Sequence, residues 1–247
     1  MTGQFLGFFM MLTRISAFFL VVPVFGWKSI PIRIKISLAV LLTIFFSMIT
    51  PPPIGNQHPP LLEAILMIVN EGTYGLALGL ILALLFAAVK FSGRIVERQM
   101  GLAMASIMDP LTGESSQPLG SLMEMMFALL FLSANGHHLF ILILSKSYEA
   151  FPAGSIPSIP ILLGGIIRAG STMLVAGLKL AAPMLAAFLV LLVVLAILAR
   201  MVQEMNILFI SLPLRVALGL FMVVVFLPLM STFVSEIADL MGKLLPL

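Results

Sequence analysis

No cysteine occurs anywhere in the 247 residues, so disulfides and thiolate metal sites are excluded. Charge is nearly as scarce. Asp, Glu, Lys and Arg together make up 9% of the chain, against roughly 25% in a water-soluble domain. Too few charges are present to cover a soluble globule, so the chain belongs in lipid or inside a larger assembly. The net charge is only +3, and the basic residues lie between apolar segments rather than in one run. That distribution argues against nucleic acid as a partner and for membrane topology. Catalytic signatures are missing as well. No Gly-Lys-Ser/Thr follows the glycines, "GESSQ" at 113–117 is not a GxSxG elbow, and no HExxH spacing appears. No nucleotide motif or carboxylate relay is present to supply energy, and nothing calls for a cofactor.

What remains is hydrocarbon: 61% of residues are apolar and the mean hydropathy is +1.21. A helix needs about 20 apolar residues to cross a bilayer core. Six segments qualify or nearly do, at 5–25, 36–50, 61–89, 122–145, 161–199 and 206–234. The expected fold class is therefore all-α and of integral-membrane type. The first segment, interrupted by Arg14, has no basic region before it and reads as a first helix rather than a removed signal peptide. Segment 36–50 is short unless it borrows Ile30–Ile34 or is kinked. Segments 61–89 and 161–199 are too long for one upright span and must tilt, bend or project beyond lipid. Gly72, Gly75 and Gly79 permit close packing and bending in the first of these, and Pro183 predicts a kink in the second. Arg168 and Lys179 in the second are best served by a long helix partly outside the bilayer. Lys28, Arg33 and Lys35, then Lys90, Arg94 and Arg98, then Arg200 fall in alternate connections. By the positive-inside rule these connections are cytoplasmic and both chain ends face outward.

A few residues invite chemistry. His137 and His138 are adjacent, so on a regular helix they point about 100° apart and do not share a metal. They read as polar residues beside a helix break after Asn135-Gly136. Glu63 and Glu71, at the start of the third segment, read as helix-start or pairing charges rather than proton carriers, and Glu63 is well placed for the helix dipole. Lys90, Arg94, Glu97 and Arg98 share one helix face. They form either a solvated helix end or a docking face for another subunit. Met100, Met104 and Met108 recur every four residues, and Met123, Met125 and Met126 follow. Such side chains fill irregular gaps, either as ordinary core or as a deformable seal. Between them lies "MDPLTGESSQPLG" at 108–120, a polar, turn-rich stretch inside an apolar chain.

Four stretches resemble the flagellar biosynthetic protein FliR family: "GLAMASIMDPLTGESSQPLGSL", "LLFLSANGHHLFILILSKSYEAFPAG", "RISAFFLVVPVFGWKSIPIRIKISLA" and "LARMVQEMNILFISLPLRVALG". Together they span nearly the whole chain, and "NGHH" and "FPAG" look more like the flagellar branch than the related T subunit of injectisomes. The resemblance implies a core subunit of the flagellar type III export gate, in the bacterial inner membrane within the basal body, and neither an enzyme nor a carrier. It implies a P-subunit-like part at 1–160, including the central loop 106–120, and a Q-subunit-like C-terminal hairpin at 161–247 turning at Gln203–Asn206. It implies one copy of the chain in a hetero-oligomer with P and Q subunits, with the B and A subunits, unfolded export substrates and lipid as further partners. By the same resemblance Ile107, Met108, Asp109, Pro110, Leu111, Thr112 and Gly113, edged by Ser106 and Glu114, form a pore plug, with Met100, Met104 and Met123 as a flanking seal. Asp109-Pro110 and Gly113 suit a turn, and Ile107, Met108 and Leu111 suit a water-excluding constriction. The competing reading is a stand-alone secondary transporter, which predicts an inverted internal repeat; none is visible.

Overall fold

The computed structural model describes residues 2–23, 25–26, 30–49, 60–102, 118–155, 159–201 and 207–244. Among these, every regular element is a helix: α1 (Thr2–Val21), α2 (Ile32–Ile49), α3 (Leu61–Met100), α4 (Pro118–Ser133), α5 (Gly136–Ala150), α6 (Ile159–Met201) and α7 (Ile207–Leu244). Four of them, α2, α3, α6 and the 209–228 part of α7, are long and apolar enough to cross a membrane, and the broken pair α4 and α5 makes a fifth if counted as one span. The chain is an all-α protein, mostly of membrane-spanning helices.

Helix bounds differ from the hydropathy segments for local reasons. The short second segment does borrow upstream residues. It starts at Ile32, directly after Pro31, whose carbonyl accepts the Ile34 N–H at 3.0 Å. α3 has 40 residues and α6 has 43. At the standard rise each is about 60 Å long or more, twice a ~30 Å hydrocarbon core. Arg168 and Lys179 lie exposed within the continuous α6, which also passes through Pro183. The segment expected at 122–145 is not one helix. It breaks where Asn135 takes the left-handed conformation, φ 61°, and α5 restarts with the His138 N–H donating to the Asn135 carbonyl at 2.9 Å. Asparagine is among the residues that tolerate that conformation.

The chain divides into two compact units. The first comprises Met1–Leu85, Phe131–Ser171 and Ile237–Leu247. In it α1 packs on α2, and α2 buries Ala39, Leu42, Thr43 and Phe46, the i, i+3, i+4, i+7 stripe of an amphipathic helix. α1 also packs on α3 through the glycine row. A Cβ built on Gly75 would run into the Arg14 carbonyl oxygen and lie 2.9 Å from the Ala17 Cβ, and one on Gly79 would lie 3.0 Å from the Phe18 carbonyl oxygen. Small residues four apart let helix backbones approach this closely. An aromatic cluster fills the space beside them, with Phe18 and Phe140 centroids 6.3 Å apart, Phe131 and Phe140 5.2 Å, and Phe19 and Phe25 5.0 Å.

The second unit comprises Phe86–Leu130 and Thr172–Glu236. Phe127 is its aromatic centre, 5.0 Å from Phe86 and 6.1 Å from Phe233 between ring centroids. α6 meets α3 at Gly177, where a Cβ would sit 2.9 Å from the Ala88 carbonyl oxygen.

Candidate functional site

The polar stretch that separates α3 from α4 is bounded by two defined stems, both in the second unit. The outgoing stem is the end of α3. Gly101 follows its last residue with φ 82°, and the Gly101 N–H donates to the Arg98 carbonyl at 3.2 Å. A left-handed glycine just past the last helical residue is a common way to stop a helix. The returning stem is the start of α4. Pro118 occupies the first helical position, where a missing N–H costs nothing.

The stems are held against each other by three contacts. Lys90 Nζ and Glu124 Oε2 are 2.9 Å apart, both side chains partly exposed. Gly93 lies against Gly120, so close that a Cβ on Gly93 would be 2.7 Å from the Gly120 Cα. The Glu97 carboxyl accepts the Gly120 backbone N–H. Numbers rise along α3 as they fall along α4, so the two stems run antiparallel. The Gly120 N–H belongs to the first turn of α4, where donors lack helical partners.

The charged quartet at the end of α3 is therefore divided. Lys90 is paired with Glu124, Glu97 is buried, and Arg94 and Arg98 are exposed. Met100 and Met123 are both buried. Met100 sits on α7 where a Cβ on Gly219 would clash with its thioether, and the Met123 sulfur lies 3.2 Å from a Cβ built on Gly93. Met104 and the stretch Ser106, Ile107, Met108, Asp109, Pro110, Leu111, Thr112, Gly113 and Glu114 lie outside the described residues, as does the turn at Gln203–Asn206.

A second site, in the first unit, is built on a pair of charges that each interrupt an apolar helix. Arg14 of α1 and Glu71 of α3 are both fully buried, with Nε to Oε2 at 2.6 Å. Arg14 Nη1 also donates to the Ser147 carbonyl at 3.1 Å and the Phe151 carbonyl at 2.9 Å, at the end of α5. Its guanidinium carbon lies 4.8 Å from the Tyr74 ring centre and 4.4 Å from that of Tyr148. Nη2 has no hydrogen-bond partner among the described residues, and the two ring faces are what neighbours the cation. The other Glu71 oxygen, Oε1, accepts the Gly154 N–H at 2.7 Å. Gly154, with φ 86°, is the third residue of a turn closed by the Ser155 N–H on the Pro152 carbonyl at 3.0 Å. "FPAG" thus has a local reason: the turn needs a glycine there, and that glycine aims its N–H at Glu71. From sequence Glu71 is a helix-start or pairing charge, and the structure makes it the latter. Its partner is not evident from the sequence, although two opposite charges in otherwise apolar helices are the available signal.

His137 is half-buried and His138 exposed, with ring centres 4.3 Å apart. Among the described residues no cluster of three His, Asp or Glu side chains could hold a metal.

Residues 5–241 match the family described as bacterial export proteins, family 1. The flagellar biosynthetic protein FliR of Escherichia coli (strain K12) is 31% identical over 244 residues, which cover 96% of this chain and 92% of that protein. The corresponding protein of Bacillus subtilis (strain 168) is 31% identical over 242 residues, covering 94% and 90%. That of Aquifex aeolicus (strain VF5) is 30% identical over 227 residues, covering 90% and 86%.

Proposed function

Because the chain belongs to the FliR family of bacterial export proteins, we propose that it forms part of the pore of the flagellar type III protein export gate and plugs that pore with its central loop. As a family member it is a core component of the gate, in the inner membrane at the flagellar basal body, and a transport protein rather than an enzyme. The stand-alone transporter is set aside by the same membership. It associates with other gate subunits; those we infer are one or more P and Q subunits around a single copy of this chain, with the B and A subunits alongside and unfolded flagellar proteins as cargo.

The observation that carries this reading is the near full-length family match. The architecture inferred with it is a P-like part at 1–160 and a Q-like hairpin at 161–247. It is supported by the length of α6 and α7, 43 and 38 residues, which exceed what a bilayer requires. Exposed Arg168 and Lys179 also suit a helix whose surroundings are largely protein or water rather than hydrocarbon. For the loop Ser106–Glu114, support comes from chemistry. Irregular polar backbone is tolerated at membrane depth only where protein buries it or water lines it, and the loop joins two apolar helices. We infer that Met100, Met104 and Met123 form its flanking seal, a reading supported by the burial of Met100 and Met123 beside the stems, and that the docking face of Lys90, Arg94, Glu97 and Arg98 presents Arg94 and Arg98, which are exposed, while Glu97 is buried.

Deleting Ile107–Gly113 in cells that make the whole export apparatus tests the plug. The expected result is a several-fold rise in leak of small ions or dye across the inner membrane, while the chain still co-purifies with several different small membrane proteins. Normal assembly with no added leak would refute a sealing role for the loop.

A further inference from the structure

Apart from the Arg14–Glu71 pair, Glu97 is the one buried charged side chain among the described residues, 4% exposed. One carboxyl oxygen accepts the Gly120 N–H. The other, Oε2, has no partner among the described residues. Its neighbours along α3, Val96 and Met100, are buried and apolar, and a residue that merely filled this space would be apolar too. A buried carboxyl is costly unless it is hydrogen-bonded, so its place must be read from what it binds. It binds the N-terminal turn of a helix, where free donors and the helix dipole both favour an acidic acceptor.

The surroundings act on the same turn. Gly93 allows α4 to approach at Gly120, and the Cγ of Arg94 lies 3.6 Å from the position of a Cβ on Gly120. Lys90 and Glu124 join the helices one turn further along. These contacts bring the helices together, and Glu97 bonds to the backbone of the first α4 turn.

We propose that Glu97 is a positioning residue of the export gate: its carboxyl caps α4 from the side of α3, and so fixes the stem by which the central loop returns. The proposal rests on the plug reading above. It assigns Glu97, in the last turn of α3, no chemistry of its own; Glu97 acts through the backbone of Gly120.

Three variants test it in the complete export apparatus: Glu97→Ala, Glu97→Gln and Glu97→Asp. Gln keeps an acceptor oxygen at the same reach, whereas Asp keeps the carboxyl but is one methylene shorter. Hydrogen exchange is measured on peptides covering 118–124 in the purified complex, and dye leak in the cells, beside the Ile107–Gly113 deletion. Exchange in Glu97→Ala should rise about five- to tenfold, the factor for losing one helix cap. Glu97→Gln should stay close to the parent, Glu97→Asp should fall between, and leak should follow the same order. Unchanged exchange in Glu97→Ala, or Glu97→Gln behaving like Glu97→Ala, overturns the proposal. So does a leak in the loop deletion with none in Glu97→Ala. If Glu97→Ala does not assemble, Glu97→Asp with parental exchange and leak overturns it equally. If the deletion itself does not leak, the plug reading falls first and this one with it.

Discussion

Arg14→Met and Glu71→Leu, made separately, should each strip the chain of most of its stability, and the double variant should recover part of it. Removing one member of a buried ion pair leaves an uncompensated charge where no water reaches it, and costs about 3–5 kcal/mol, a hundredfold or more in the folded ratio. Arg14 is at 0% exposure, as is Glu71. The Arg14→Met loss should be the larger. It also releases the Ser147 and Phe151 carbonyls at the end of α5 and the two tyrosine faces. Ser147 keeps one partner, since the Phe151 N–H donates to its carbonyl at 3.0 Å; the Phe151 carbonyl keeps none among the described residues. In the double variant the charges are gone, and apolar side chains of similar volume fill the space. Recovery is partial because the Gly154 N–H loses its acceptor on Glu71. The measurement is the fraction of detergent-extracted chain that remains a single species after graded heating. A double variant less stable than either single one would show that the residues contribute independently and not as a pair.

Gly75→Ala should be nearly as damaging, although it adds one methyl group. The obstacle is the Arg14 backbone carbonyl, with the Ala17 Cβ 2.9 Å away on the other side. No rotamer change moves a helix carbonyl, so α1 and α3 must separate. Overpacking of this kind costs about 1–3 kcal/mol, and here it also pulls Arg14 away from Glu71, four residues before the glycine. Gly72→Ala is the control on the same helix. Its new methyl would meet only the Thr13 Cγ2, at an ordinary 3.5 Å, and alanine is the better helix former. The same heating assay should show Gly75→Ala falling well below the parent and Gly72→Ala at or above it. Equal behaviour of the two would mean that α1 and α3 do not meet as closely as the glycine row indicates.

The two sites differ in how far they were legible. For the stretch between α3 and α4, the residues of interest were recognisable from composition: a polar, proline- and glycine-bearing stretch interrupting hydrocarbon, flanked by methionines. The charged quartet before it was legible as a helix face, because spacing alone determines that. Its division into a paired Lys90, a buried Glu97 and exposed Arg94 and Arg98 was not, because that depends on α4 crossing at Gly120. The break at Asn135 was visible as a local signal, but hydropathy runs straight through it and suggested one span where there are two helices.

By itself the sequence determined the all-α membrane class and the family. Each of these follows from residue type and near-neighbour spacing, and hydrocarbon length, proline, glycine and charge act locally. It also marked Gly72, Gly75 and Gly79 alike as permitting close packing; Gly75 and Gly79 do meet the α1 backbone, whereas a Cβ on Gly72 would meet only the Thr13 Cγ2 at an ordinary 3.5 Å. Only the tertiary structure decided which helix approaches, and which partner each buried charge takes. Arg14 meets Glu71 across 57 positions and Gly154 reaches Glu71 across 83. Such pairings are set by where helices cross, and a crossing is fixed by the packing of whole faces, which no short window of sequence contains.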